Sequence, residues 1–286
     1  MTELPFLQSF AGLALILMLI IFSLGLERLN ELFKPNKMKG DIKMGSKTPQ
    51  KKARKYYIQV MEDGTIYVWA FNYCTIITKE TIDKAYKEYH TTKYNRKYYD
   101  DKLKEGEGKP GSDCSGMHKD LSGYDTTAQG YYDRCTGKGP LSTLPLSDLV
   151  LVFKGKSSKS ITHTGIYLGD GMVIHMKSSD ENCVYEPVDK HGWTAWGYGD
   201  FIDYSEALGA KPVLTRLIKM GSKGTDVKLL QTQLTNKNYP CGTIDGDFGK
   251  KTDAAVRKFQ KDNKLTEDGI VGKNTAKKLG MIWKPM

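Results

Sequence analysis

The richest chemistry in the chain lies in the run Ser112-Asp113-Cys114-Ser115-Gly116. A Gly/Pro-rich loop at residues 106–111 leads into it, and helix-compatible sequence comes after it. A cysteine at a helix N-terminus faces free backbone N–H groups and the positive end of the dipole, and both favour the thiolate. The same N–H groups can hold a developing oxyanion. Taken alone, the run reads equally well as a small buried cysteine at a turn. Two histidines downstream change the balance. His163-Thr164-Gly165-Ile166-Tyr167-Leu168-Gly169 reads as a strand, Asp170-Gly171 as a turn and Met172-Val173-Ile174-His175-Met176 as the returning strand. One His opens the first strand and the other closes the second, so a base and its orienting partner can meet across the pair.

Whether they meet depends on register, because a one-residue slip reverses the faces of a strand. A two-residue turn at Asp170-Gly171 would set Ile166 opposite His175 and send the two rings to opposite faces. A three-residue loop, Gly169-Asp170-Gly171, sets Gly165 opposite His175 and puts His163 on the same face, one diagonal away. Diagonal neighbours lie roughly 7–8 Å apart at the backbone, within reach of two imidazoles. Catalysis needs the shared face, so the three-residue loop, or a bulge with the same effect, is expected, against the usual two-residue preference of Asp-Gly. The small Gly165 would leave the His175 ring its room.

The elements that must position these residues are set by the wider pattern. The chain has 286 residues, enough for two compact domains. Hydrophobic residues make up 39% and charged residues 27%, which excludes a largely disordered chain. Five Cys is sparse and odd, so a disulfide scaffold is not expected, and the lack of C-x-x-C spacing leaves a structural zinc site unsupported. Charge is unevenly placed. Residues 1–55 carry 10 Lys/Arg against 4 Asp/Glu, residues 56–210 carry 17 against 22, and residues 211–286 carry 16 against 7. The acidic middle segment argues against nucleic acid as its substrate, whereas the basic tail suits a polyanionic partner: nucleic acid, anionic lipid or a teichoic acid-bearing wall.

Residues 4–26 are 23 positions without a charge, bounded by Glu3 and Glu27. At 1.5 Å per residue they span a hydrocarbon core of roughly 30 Å, so a transmembrane helix is expected. A cleaved signal peptide fits less well, because no Lys or Arg precedes the run and it exceeds about 7–15 residues. Arg28, Lys34, Lys37, Lys39 and Lys43 come directly after it. The positive-inside rule would hold the rest of the chain in the cytoplasm, which conflicts with the side that the chemistry below requires. Residues 27–47 read as a basic flexible linker. Thr48-Pro49 then reads as a helix start, with Thr as N-cap, and Gly64 as its end, a hairpin turning at Asp63-Gly64 being the rival. Another helix is expected over residues 79–90. Beyond a boundary near residues 205–213, Asp245-Gly246-Asp247-Phe248-Gly249 and Asp268-Gly269-Ile270-Val271-Gly272 repeat 23 residues apart, each before a short helix. The oxygen spacing does not fit a calcium loop.

Residues 49–204 resemble the NlpC-type cysteine peptidases of cell-wall hydrolysis. The resemblance rests on Asp113-Cys114-Ser115-Gly116, Leu146-Ser147-Asp148-Leu149-Val150, His163 to Gly169 and Ile174-His175, with Tyr67-Val68-Trp69-Ala70 matching the family's Tyr-x-Trp-Gly segment. Ala70 and Ser147 stand where that family usually has Gly. The resemblance implies a papain-like α+β fold, Cys114 as nucleophile, His163 as general base and His175 as the residue that orients it. It also implies substrate contacts from Tyr67, Asp113 and Ser115, and neither cofactor nor metal. His90, His118 and His191 match nothing in the pattern and read as surface or structural, and Trp193 and Trp196 read as core. Residues 215–282 resemble the small three-helix peptidoglycan-binding module, with Val227, Leu230, Leu234, Val256, Phe259 and Leu279 as its core.

The expected organisation is therefore a transmembrane helix at 4–26, a linker at 27–47, a peptidase domain at 48–208 and a peptidoglycan-binding all-α domain at 213–283. The expected function is a membrane-anchored, secreted or virion-associated endopeptidase acting on peptidoglycan outside the cytoplasm, at the γ-D-glutamyl to diamino acid bond. The alternatives are an N-acetylmuramoyl-L-alanine amidase with the same Cys–His machinery and a catalytically silent wall-tethering protein.

Overall fold

The computed structural model describes residues 47–286. The expected transmembrane helix at 4–26 lies outside the described residues, as does nearly all of the linker. Among the described residues, no helix is long and apolar enough to cross a membrane.

Thr48–Pro49 pairs in parallel with Ile202–Asp203, and helix α1 (Gln50–Glu62) begins at once. Its Ala53, Tyr56, Tyr57 and Val60 recur at helical spacing and are buried, which excludes the hairpin alternative. The cap falls one residue later than the sequence suggests. Pro49 holds the N-cap position with no side-chain bond, because the Thr48 N–H is drawn to the Phe201 carbonyl at 2.8 Å. Helices α2 (Lys79–Tyr89) and α3 (Arg96–Gly106) occupy half of the stretch between Trp69 and Cys114. Thr78 and Thr81 cap α2 reciprocally. The strand Pro110–Ser112 runs between Ile66–Tyr67 and Thr75–Ile76 and delivers the chain to Cys114. A single 3-10 turn (Gly116–His118), α4 (Lys119–Ser122) and α5 (Ala128–Arg134) come next.

The central sheet is built from β1 (Lys138–Pro140), β2 (Leu149–Gly155), β3 (Ile161–Leu168), β4 (Met172–Ser178), β5 (Asn182–Pro187) and β6 (Ala195–Gly197). It is antiparallel throughout, in the order β1-β6-β2-β3-β4-β5. Its strands bury both faces. Leu149, Leu151, Phe153, Ile166 and Ile174 pack against α1 and the segment after Cys114. Val150, Val152, Tyr167 and Val173 pack on the other face with Trp193. The alternation is the period of two that a strand imposes, and each such fully buried side chain contributes roughly 1.5–3 kcal/mol.

The hairpin takes the three-residue loop. Ile166 pairs with Ile174 and Tyr167 with Val173, which places Gly165 opposite His175. Gly169 and Gly171 both have positive φ, +71° and +98°. The structure also shows why Asp170-Gly171 gives up its two-residue preference. Asp170 is fully buried and pinned, with its carboxylate 2.7 Å from the Arg54 guanidinium and its Oδ1 accepting the Met172 N–H at 3.0 Å. The Gly171 N–H donates to the Tyr167 hydroxyl at 3.0 Å.

The tail holds α6 (Thr225–Asn236), α7 (Lys250–Asp262) and α8 (Lys273–Leu279). All six expected core residues are buried in one cluster. The repeated Asp-Gly segments are pinned alike by two buried glutamines. Gln231 accepts the Gly246 N–H at 2.9 Å and donates to Asp245 at 2.9 Å. Gln260 accepts the Gly269 N–H at 2.9 Å and donates to Asp268 at 2.8 Å. Several bonds tie the tail to the rest, among them Lys228 Nζ to the Ser142 carbonyl at 3.2 Å. The Val213 N–H donates to the Asp170 carbonyl at 2.8 Å. The Asp189 carboxylate accepts the Thr225 N–H at 2.7 Å and its hydroxyl at 2.8 Å, supplying the cap that Gly224 cannot.

Candidate active site

Cys114 is buried at the turn between the strand Pro110–Ser112 and the 3-10 turn. Asp113 builds that turn. Its Oδ1 accepts from the Ser115 N–H and hydroxyl, both at 2.9 Å, and from the Gly116 N–H at 2.7 Å. Its Oδ2 accepts the Ala70 N–H at 3.1 Å. Gly116 is obligatory, because a Cβ there would lie 2.0 Å from the Phe71 carbonyl oxygen. These bonds revise one expectation. The N–H groups of Ser115 and Gly116, which looked available for an oxyanion, are already spent on Asp113, and so is the Ser115 hydroxyl.

A second expectation is reversed. Burial, and next the Asp113 charge, push the Cys114 thiol up to about 12, although the N–H groups of Thr164, Cys114 and Ser115 pull the other way. The helix beyond it is too short, and the carboxylate too close, for the dipole to prevail. Burial and the neighbouring carboxylate thus favour the thiol over the thiolate. Tyr67 lies beside it. Its phenol is raised above the ordinary range by burial first and then by Cys114, so it remains a hydrogen-bond donor.

His163 and His175 meet. His163 Nε2 lies 2.8 Å from His175 Nδ1. Gly165 makes the room, since a Cβ there would sit 2.8 Å from His175 Cβ. Burial, then the charges of His175, His191 and Lys154, lower His163 to about 2. Burial, then His191, Lys177 and Lys154, lower His175 to about 3. The His163 ring bonds to His175 and not to Cys114. Its chain neighbour Thr164 is what touches the cysteine, through the N–H that faces the sulfur.

Three residues near the pair escaped the sequence reading. Glu186 Oε1 lies 3.0 Å from His175 Nε2. His191, expected to be surface or structural, sits half-buried over both rings, its centroid 4.9 Å from His163 and 4.5 Å from His175. Trp193 is core, as expected, and its ring also lies nearly parallel to His163 at 5.4 Å and 18°. Only the Asp-Gly turn signalled the hairpin, and nothing in the spacing announced the strand and loop that carry these three. His118 is wholly buried, with Nδ1 2.8 Å from the Tyr57 hydroxyl and Nε2 3.3 Å from the Thr164 hydroxyl, and His90 is exposed. One ring nitrogen from each of His163, His175 and His191 lies within 4.8 Å of the others, a trio suited to a transition metal. Such an ion would first have to break the bond between His163 and His175.

The structure thus places a buried cysteine turn beside a strand that carries a paired histidine, on an α+β fold. Residues 102–200 match the NlpC/P60 family and residues 223–279 match the peptidoglycan binding domain. The chain thus carries an NlpC/P60 domain followed by a C-terminal peptidoglycan-binding domain. A curated relative, an uncharacterized protein in the bpoA1 3'region of Kitasatospora aureofaciens, is 41% identical over 76 residues, 26% of this chain. The match spans 64% of that relative's length. Among solved structures, the SleB N-terminal domain is 36% identical over 23% of this chain and 92% of its own, with a TM-score of 0.23. A fused Zn-dependent amidase/peptidase/peptidoglycan-binding domain-containing protein from Clostridium acetobutylicum is 40% identical over 24% of this chain and 31% of its own, with a TM-score of 0.22.

Proposed function

We propose that this protein is a peptidoglycan hydrolase in which Cys114 attacks a stem-peptide amide, most specifically the γ-D-glutamyl to diamino acid bond. The observation that carries the reading is the 2.8 Å bond between His163 and His175 in an NlpC/P60 domain whose Cys114 faces the Thr164 N–H. Both resting partners are neutral, so the proton moves as the nucleophile attacks. The sulfur bonds to the carbonyl carbon while His163 takes the thiol proton. His163 then returns that proton to the departing amine, and water releases the thioacyl group. The Cys114 N–H and the Tyr67 hydroxyl are the donors left for the oxyanion. Asp113 and Ser115 act chiefly by building the turn, a narrower role than the substrate contact expected of them.

In this proposal residues 48–208 form the peptidase domain and residues 213–283 hold the wall. Residues 4–26 anchor the chain in the membrane through the linker at 27–47, with the enzyme outside the cytoplasm or, without the anchor, secreted. Digestion of purified wall and mass spectrometry of the released muropeptides test the bond. Products cut between D-glutamate and the diamino acid support the proposal. Release of the intact stem from its lactyl group would make the enzyme an amidase, and no release at all would leave a wall-tethering protein.

A further inference from the structure

His175 has a partner on each side, and only one of them has a fixed polarity. The three residues involved come from three adjacent strands and share one face of the sheet. His163 lies on β3 and His175 on β4. Glu186 lies on β5, where it pairs with Val173, the same-face neighbour of His175. The contacts run in line across the strands, 2.8 Å from His163 Nε2 to His175 Nδ1 and 3.0 Å from His175 Nε2 to Glu186 Oε1. The other carboxylate oxygen is held by Lys177 Nζ at 3.3 Å, and Lys177 is itself paired with Glu181 at 2.8 Å. His191 Nδ1 stands 3.8 Å from Oε1, and Lys154 is the further cation whose charge reaches both rings.

We propose that Glu186 is a positioning residue that ends a relay Cys114–His163–His175–Glu186 and fixes both imidazoles in the tautomer that catalysis needs. The proposal rests on the reading of Cys114 as nucleophile and His163 as base. A carboxylate only accepts, so His175 Nε2 must carry the hydrogen. A neutral imidazole has one N–H, which leaves His175 Nδ1 as an acceptor. The hydrogen in the 2.8 Å bond then belongs to His163 Nε2, and His163 Nδ1 is left bare to take the thiol proton. Replace Glu186 with a group that sets no direction, and the two rings can both reverse. His163 Nδ1 would then carry a hydrogen and could not act as a base. The carboxylate has a second effect. When His163 becomes an imidazolium, a negative charge one ring away stabilises it, and no proton need reach Glu186 for that to happen.

Long-range proton–nitrogen correlation spectra of the 15N-labelled, otherwise unmodified protein read the ring tautomers directly. Bare Nδ1 and protonated Nε2 on both His163 and His175 are expected. A protonated Nδ1 on His175 would overturn the proposal without any mutation. Glu186→Gln and Glu186→Leu should then lower kcat by about 10–100-fold with KM within about twofold, and should mix the tautomers of both rings. Wild-type kcat and unchanged tautomers in a folded Glu186→Leu would also overturn it. A control separates the two levels. If Cys114→Ala still hydrolyses wall, the underlying reading fails. If Cys114→Ala is inactive while the Glu186 variants keep full kcat, only the relay fails.

Discussion

Gly165→Ala puts the paired histidines under direct strain. The added Cβ would lie 2.8 Å from His175 Cβ, 3.0 Å from the Trp193 ring and 3.1 Å from the Ile174 carbonyl oxygen. Two of these three neighbours are backbone or next to it, and the third is a buried indole, so none can swing away cheaply. Overpacking of this kind costs about 1–3 kcal/mol. For a chain of this size that corresponds to roughly 2–12 °C in Tm. The catalytic loss should be larger than the stability loss. His175 must move away from β3, which stretches its bond to His163, and a misplacement near 1 Å costs about 100-fold in rate. The assay is differential scanning calorimetry paired with wall turnover measured well below the lowered Tm. A variant with wild-type Tm and wild-type turnover would refute both the register and the role given to the pair.

Other outcomes rest on the same physics. Ala70 sits at φ +65°, where a side chain is strained and the related peptidases usually have Gly, so Ala70→Gly should gain about 0.5–1 kcal/mol in chemical denaturation. Asp189→Ala removes the cap of α6 and should cost about 0.5–2 kcal/mol, read from the same curves. Burial lowers His118 to about 3, so the unfolded chain takes up a proton from pH 6.5 downward that the folded chain refuses. Its contribution is full above pH 6.5 and should fall by about 1.4 kcal/mol per pH unit toward pH 4, with His163 and His175 adding in the same sense. Asp113 and Asp170, raised by burial, oppose this above about pH 4, where the folded chain takes up their protons before the unfolded chain does, but two carboxyls do not cancel three imidazoles. Flat stability between pH 6.5 and 4.5 would contradict the buried neutral histidines. Micromolar Zn²⁺ should inhibit the enzyme reversibly, and less so in His191→Ala.

The parts of this molecule that were legible in the sequence are those encoded by contiguous residues. The Asp113 to Gly116 run, the hairpin and the Asp-Gly repeat each carry their own turn chemistry, and the tail core follows from the resemblance to the three-helix module. The hairpin register was legible for a further reason: two histidines had to share a face, and a glycine stood where the second ring needed space. The features that escaped depend on contacts between distant segments. Glu186 reaches His175 only because β5 pairs with β4 past an irregularity between Met176 and Ser178, and no motif marks that. His191 arrives on the loop after β5. The protonation state of Cys114 was misread because a local dipole was weighed without the burial and the neighbouring carboxylate that outweigh it. The cap at Thr48 shifted because a strand pairing more than 150 residues away claimed its N–H.

Whether Cys114 carries the acyl group is the most direct question. Enzyme mixed with a stem peptide containing the γ-D-glutamyl bond, quenched in acid within the first turnovers and mapped by mass spectrometry, should show the acyl mass on the fragment holding Cys114. The same mass should be absent from Cys114→Ala, which should also release nothing from wall. An adduct on Cys74, Cys135, Cys183 or Cys241, or wall hydrolysis by Cys114→Ala, would contradict it.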